Sequence, residues 1–358
     1  RLFSGQKTGS ATTSDLTPEG IRKMVAAAME NASITSEDPF AGLPSLDEIG
    51  KSDVDLQMYS EDLEKLDTPT KIKLAKAAEK ASLEADPRIT NSEGGAFGSY
   101  LSERAFANSR GFSGSYRSSS CSLSAVPVAS TEGKMERDYW ASSSRSFAKL
   151  ETPEEVGAEA ARRTVRRLGA RKISTRKSPV ILEPRISRSL LSNIFEAISG
   201  DSIYRHASFL EGKVGEQVAS ELITVVDDPT LPGLFGSAPF DDEGVPGRRK
   251  IVIERGMLKM YLHNTYTARK MGEKTTGNAG RGLAGSPWVD KGNFYIENGN
   301  TPPEQMIRDM KEGLLVTELM GQGVNIVNGD YSRGAAGLWI ENGEVAYPVS
   351  EITIAGNL

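Results

Sequence analysis

The 358 residues hold one cysteine, Cys121, and two histidines, His206 and His263. A lone thiol excludes an internal disulfide and any multi-cysteine metal site, and it fits a reducing compartment. The histidines lie far apart, and no His-Glu-x-x-His spacing occurs, so three or four tetrahedral zinc ligands cannot be assembled from local motifs. No apolar run approaches the roughly 18 residues of a membrane span, and no secretory leader is recognisable. The net charge is −5, which gives no electrostatic footprint for a polyanion and argues against direct nucleic-acid binding. These absences describe a cytoplasmic, membrane-free protein. At roughly 150 residues per domain the length suggests two or three domains. The first residue is Arg1, and "YPVSEITIAGNL" stops in strand-like sequence, so the chain reads as part of a longer polypeptide.

What is present begins with threonine before proline. "TPEGIRKMVAAAMENA" from Thr17, "TPTKIKLAKAAEKASLEA" from Thr68, "TPEEVGAEAARRTVRRL" from Thr152 and "TPPEQMIRDMKEGL" from Thr301 predict four helices. In each, threonine is the expected N-cap, and proline surrenders a donor that has no partner at the first turn. Residues 33–60 lack periodicity and carry Pro39, Gly42 and Pro44, so they read as a linker. From Ile89, turn signals at Asn108–Gly111 and Thr131–Gly133 divide long stretches into a three-strand meander. The serine-rich piece 113–124 reads as a strand with a polar face, alternating with Tyr116, Cys121 and Leu123.

A basic linker, "RKISTRKSP", leads to the short apolar strand "PVILEP". In "ISRSLLSNIFEAISGD", Ile186, Leu190, Ile194 and Ile198 recur every fourth residue, which predicts an amphipathic helix stopped by Gly200. Strands are expected in "SELITVVDD", in a hairpin through Arg255 and Gly256, and in "GNFYIENG", "GLLVTELM" and the closing segments. The fold class is therefore α+β and multidomain: a helix-plus-antiparallel-sheet first part, then a β-rich domain with a few helices.

The glycine-dense stretch "MGQGVNIVNGDYSRGAAGLWIENG" invites a phosphate-loop reading, but strand and Asn-Gly turn follow it where a helix should start. Gly329 and Gly343 are expected to turn hairpins, and Gly334 and Gly337 to permit close packing. Asp227, Asp228, Asp241, Asp242 and Glu243 sit beside proline and glycine, where carboxylates cap turns. Ser332 lacks a nucleophile elbow or a base, and Cys121 has no adjacent positive charge. No complete catalytic set is visible.

The long segment from "VGEQVASELITVVDDPTLPGLFGSAPFDDEGVPGRRKIVIERG" to "TTGNAGR", with "VTELMGQGVNIVNGDYSRGAAGLWIENGEVAYPVSEITIAGNL", resembles the TldD/TldE (PmbA) peptidase family. "DPRITNSEGGAF" and "KMERDYW" extend the resemblance through the middle of the chain. It implies a cytosolic zinc metallopeptidase assembly acting on unfolded peptides, linked to peptide-antibiotic maturation, antitoxin turnover and DNA gyrase modulation. The catalytic kind of subunit carries His-Glu-x-x-x-His on a helix matching "SLLSNIFEAISGD" and a cysteine near its C-terminus. Aligning the leucine pair puts Ser192, Asn193 and Ala197 at the first His, the Glu and the second His. None of these side chains can hold zinc or take a proton from metal-bound water.

The resemblance therefore implies the TldE (PmbA) kind of subunit, with no metal of its own and zinc in a catalytic TldD-type partner. Further expected partners are unfolded peptides, and a self-paired dimer stays open. Residues 1–50 are expected to be a remnant of the family's first domain plus linker, 51–175 a middle α+β domain, and 176–358 the C-terminal domain. The turns at Asp241, Asp242, Glu243 and Gly244 and at Tyr331, Ser332 and Arg333 are the candidates for lining a shared substrate groove. Rival readings are an autonomous hydrolase built on His206 or His263 and a gyrase-associated binding module.

Overall fold

The computed structural model describes residues 1–283 and 285–358. Its first element is a short hairpin, β1 (Leu2–Ser4) and β2 (Lys7–Gly9), packed on α1 (Pro18–Ile34). Thr17 caps α1 as its sequence predicts, accepting from the Gly20 N–H at 3.1 Å. Residues 35–60 are largely irregular, as a linker should be, yet they are docked. Leu56 and Met58 are buried, Ser119 donates its N–H to the Met58 carbonyl, and Gly233 donates to that of Leu56.

The middle part pairs two helices with one antiparallel sheet. α2 (Thr68–Glu84) is capped by Asp67 rather than Thr68, because Asp67 Oδ1 reaches the Thr70 N–H at 3.0 Å. The meander follows as β3 (Ile89–Ala107), β4 (Ser113–Thr131) and β5 (Lys134–Arg137), and a fourth strand, β6 (Trp140–Ser144), returns to β4 once β5 ends. Pro127, which has no N–H, falls where β5 has handed over and β6 has not begun. Along β4 the odd positions Cys121, Leu123, Ala125 and Ala129 are buried. Tyr116 is on the opposite face, contrary to its expected grouping with Cys121, and its ring meets Phe240 at 5.4 Å. α3 (Pro153–Val165) opens with a reciprocal capping box between Thr152 and Glu155 and packs beside α2 over Leu123 and Ala125.

The last part starts with β7 (Val180–Leu182) and α4 (Pro184–Ile198). Gly200 does not end α4 as expected. Ser199 forms the joint, and Gly200 begins the single turn α5 (Gly200–Ile203), where an added Cβ would stand 2.4 Å from His263 Nδ1. Of "SELITVVDD" only β8 (Val225–Asp227) is strand, since only those residues find partners, in β9 (Lys250–Glu254) and a later strand. β10 (Met257–Leu258) completes the predicted hairpin through Arg255 and Gly256, both at positive φ. α6 (Thr265–Met271), the pair β11 (Ala279–Gly280) and β12 (Trp288–Val289), and β13 (Phe294–Ile296) follow. α7 (Pro303–Met310) has Pro302 at its N-cap and no side-chain cap, so Thr301 does not play its expected part.

β14 (Gly313–Met320), β15 (Asp330–Glu341) and β16 (Glu344–Asn357) close the chain. Two four-stranded sheets result, ordered β10-β9-β8-β13 and β16-β15-β14-β7. Asn342 and Gly343 form the expected turn at φ 54° and 78°. Gly337 is the glycine that packing requires, because a Cβ there would lie 2.2 Å from the Leu315 carbonyl, whereas at Gly334 the nearest atom would be an ordinary 3.4 Å away. α4 lies between two cores, with Ala197 and Ile198 in the cluster under β8–β10 and Ile186 against that of β14 and β15. The fold is α+β, and among the described residues no helix is long and apolar enough to cross a membrane.

Candidate functional site

Arginines at the end of α3 fasten α4 in place. Glu183, just before α4, receives Arg166 at 2.7 Å and Arg163 at 3.0 Å, while Arg167 bridges Glu136 of β5 and Glu318 of β14. Burial alone would raise the Glu183 carboxyl, but Arg166 and Arg163 hold it below the ordinary range. Between these fastenings lies a cleft of about 810 Å³, walled by β5, by α4 through Arg185, Ile186, Arg188 and Ser189, and by Thr317–Leu319 of β14.

One wall of that cleft is a sheet edge. β7 pairs with β14 only from Leu314 to Val316, and the Glu183 N–H takes the Val316 carbonyl. A bulge follows between Val316 and Glu318, after which β14 pairs on one side only, with β15. Glu318, Leu319 and Met320 thus have no strand partner on their other side among the described residues, and Glu318 and Leu319 line the cleft.

The cleft continues past Arg188, Ser189 and Arg333 into a smaller cavity of about 440 Å³, which holds Ser192 and Asn193. Ser192 Oγ donates to the Arg188 carbonyl at 3.1 Å, and Asn193 Nδ2 is buried without a partner. Ala197 does not line this cavity. It lies roughly 140° around the helix from Ser192, is fully buried, and its carbonyl accepts from Ser208 Oγ. The cavity's charged lining is Arg188, Lys291 and Arg333, with no carboxylate, imidazole or thiolate. A divalent cation does not fit this donor set. Among the described residues no cluster of three or more His, Cys, Asp or Glu is arranged to hold one elsewhere.

The remaining candidates are dispersed. Asp241 Oδ1 accepts the N–H groups of Glu243 and Val245, and Oδ2 accepts that of Ala279, each at 2.9 Å. Asp242 pairs with Arg104 at 2.8 Å, and Glu243 Oε2 accepts the Thr265 N–H at the start of α6. Glu243 and Gly244 are buried. These residues form a joint between the middle sheet and α6; Asp241 and Asp242 border one cavity and Asp242 and Glu243 another, and Arg333 lines neither. Tyr331 and Ser332 border a separate shallow cavity with Gln322–Asn325, while Arg333 faces the cleft. Asp227 lies at the buried end of β8, and Asp228 caps its own turn by accepting the Thr230 N–H. His206 is exposed beside Glu211, and His263 is buried, its imidazole pushed down to about 4 by desolvation. Neither opens on the cleft. Burial pushes the Cys121 thiol up to about 11, which leaves it inert.

Asp241 yields a prediction. Burial first, then Glu243, pushes its carboxyl up to about 7 despite three N–H donors. A folded value above the unfolded one means that this group's stability is full below about pH 4 and is lost as pH rises through about 7. Asp241→Asn removes that titration but turns an amide towards one of the three N–H groups. A loss of about 1–3 kcal/mol is expected, with the gap to the parent protein narrower at about pH 8 than at about pH 5, read from urea midpoints.

Three family models cover most of this architecture: the PmbA/TldA metallopeptidase domain 1 matches residues 1–32, the central domain 61–168 and the C-terminal domain 175–358. The chain belongs to the PmbA/TldD metallopeptidase family. Within it, the chain is 43% identical over 357 residues to metalloprotease PmbA of Escherichia coli O157:H7, covering all of this chain and 77% of that protein. It is 42% identical to the PmbA homolog of Haemophilus influenzae, again over 77% of that protein. Among solved structures, a Bacteroides thetaiotaomicron protein superposes with a TM-score of 0.92 at 29% identity, covering 99% of this chain and 79% of that one. TldE from Thermococcus kodakarensis does so with 0.88 at 26%, covering 98% and 79%.

Sequence reading alone missed Arg188 and Lys291 and the arginines of α3. The signal for the latter was four arginines within "RRTVRR", more than a solvated helix end needs.

Proposed function

We propose that this chain is the non-catalytic subunit of a two-subunit zinc peptidase acting on unfolded peptides. The observation that carries the reading is the lining of the cavity at the family's metal-motif positions: a hydroxyl, an amide and three cations face it, and a core alanine sits where a ligand would be. In this reading a partner with His-Glu-x-x-x-His supplies zinc, nucleophilic water and general base. This chain contributes a wall of the enclosure and holds the peptide in extended form. The free edge of β14 at Glu318–Met320 supports the second role, since an added strand would pair its backbone groups.

The test is copurification with a His-Glu-x-x-x-His subunit, with zinc content and cleavage of an unfolded peptide measured for each chain and for the mixture. Expected results are zinc in the partner alone and cleavage in the mixture. Cleavage by this chain alone in the presence of chelator sinks the proposal.

A further inference from the structure

The cavity beside Ser192 is cationic although the chain carries a net charge of −5. Arg163 and Arg167, at and just past the end of α3, face the neighbouring cleft and are matched by Glu183, Glu136 and Glu318. Arg188, Lys291 and Arg333 have no carboxylate beside them in this cavity; the Lys291 ammonium sits 4.4 Å from the Phe195 ring and pairs with no carboxylate among the described residues, although Lys291 also borders the separate cavity of Asp241, Asp242 and Asp290. Two donors there are unmade: Arg333 Nε and Asn193 Nδ2 are buried without an acceptor. Buried donors are ordinarily satisfied, and the two residues that carry these orphans both line this cavity.

We propose that this cavity binds a carboxylate of the extended peptide that runs along β14. The inference rests on the groove reading above and deepens it. The cavity shares Arg188, Ser189 and Arg333 with the larger cleft, so a chain on the β14 edge reaches it without a break. A guanidinium fork matches the two oxygens of a carboxylate, and two arginines with a lysine suit one anion better than a neutral side chain. Phe294 and Leu191 supply an apolar lining that keeps the contact partly dry.

The test uses the purified chain and a fluorescent unfolded peptide free of acidic residues, ending either in a carboxylate or in an amide. A third peptide ends in an amide and carries one internal glutamate. Inorganic phosphate serves as competitor. A terminal or side-chain carboxylate is expected to tighten binding roughly tenfold over the neutral amide. Arg333→Gln and Arg188→Gln, checked for unaltered thermal unfolding, should bring the carboxylate peptides down to the affinity of the amide. Which of the two carboxylate peptides shows the gain identifies the source of the group. Equal binding of carboxylate and amide peptides, or a preference that persists in both variants, overturns the carboxylate site while leaving the groove intact. Failure of every peptide to bind overturns both. Arg333-dependent binding of phosphate with no carboxylate preference among the peptides would make this a free-anion site and also overturn the proposal.

Discussion

Replacing Glu183 with alanine is expected to destabilise the protein by about 3–5 kcal/mol. Glu183 takes two arginines whose side chains are 6% and 14% exposed, and Arg166 has no other ion-pair partner among the described residues. Arg163 would keep Asp138 at 3.5 Å and Glu159 at 4.0 Å, both poor geometries. Removing the carboxylate therefore leaves a cation without a counter-charge in a half-dry joint, and this term dominates the loss of the pair itself. The measurement is the urea midpoint at constant m-value. Because the folded carboxyl is held below its ordinary value, its stability is present above the unfolded glutamate value and lost as pH falls through the folded one. The variant should accordingly lose less stability on acidification than the parent protein. Since the same joint holds α4 beside the cleft, the substitution should weaken peptide binding as well.

The second large effect is expected at Lys250. Its ammonium, 2% exposed, lies 3.0 Å from Asp227 Oδ2, and Asp227 is fully buried. Asp227 also accepts from Asn278 Nδ2 and the Gly292 N–H, and Lys250 Nζ donates to the Thr276 carbonyl at 3.1 Å. Lys250→Met strands a buried anion with two hydrogen bonds and is expected to cost about 3–5 kcal/mol. Adding Asp227→Asn removes the stranded charge, so the double variant should be more stable than Lys250→Met alone. A double-mutant cycle on unfolding free energies reads this directly. A double variant no better than the single one would mean that Asp227 is held mainly by its hydrogen bonds.

Much of the fold was legible because its signals are local. Thr17 and Thr152 cap helices since a hydroxyl followed by proline needs only its own next turn to act. Where the reading slipped, a near neighbour competed better, as Asp67 did over Thr68, or nothing was in reach, as before α7. The Arg255–Gly256 and Asn342–Gly343 turns follow from residues that tolerate positive φ. Strand lengths were less legible, and "SELIT" stays outside β8 because pairing partners, which begin only at Val225, decide where a strand begins.

The candidate site was legible mainly as a lack. Ser192, Asn193 and Ala197 cannot supply the zinc ligands and base of the family's motif, because a hydroxyl, an amide and a methyl lack the donor strength of imidazole and carboxylate. Asp241 through Gly244 were legible as turn residues, but their burial was not. That depends on the middle sheet, on Ala279 and on α6, which meet them only in the folded chain.

By itself the amino-acid sequence determined the caps of α1 and α3, the hairpin turns, the α+β class and the absence of a local metal motif, since each depends on residues within a turn or two of one another. Only the tertiary structure decided that β14 keeps a free edge, that arginines of α3 clamp the cleft beside it, and that Arg188, Lys291 and Arg333 surround one cavity free of carboxylates. Those three cations come from α4, the segment before β13, and β15. Their meeting is set by how a helix and two strands pack, and no spacing along the chain encodes it.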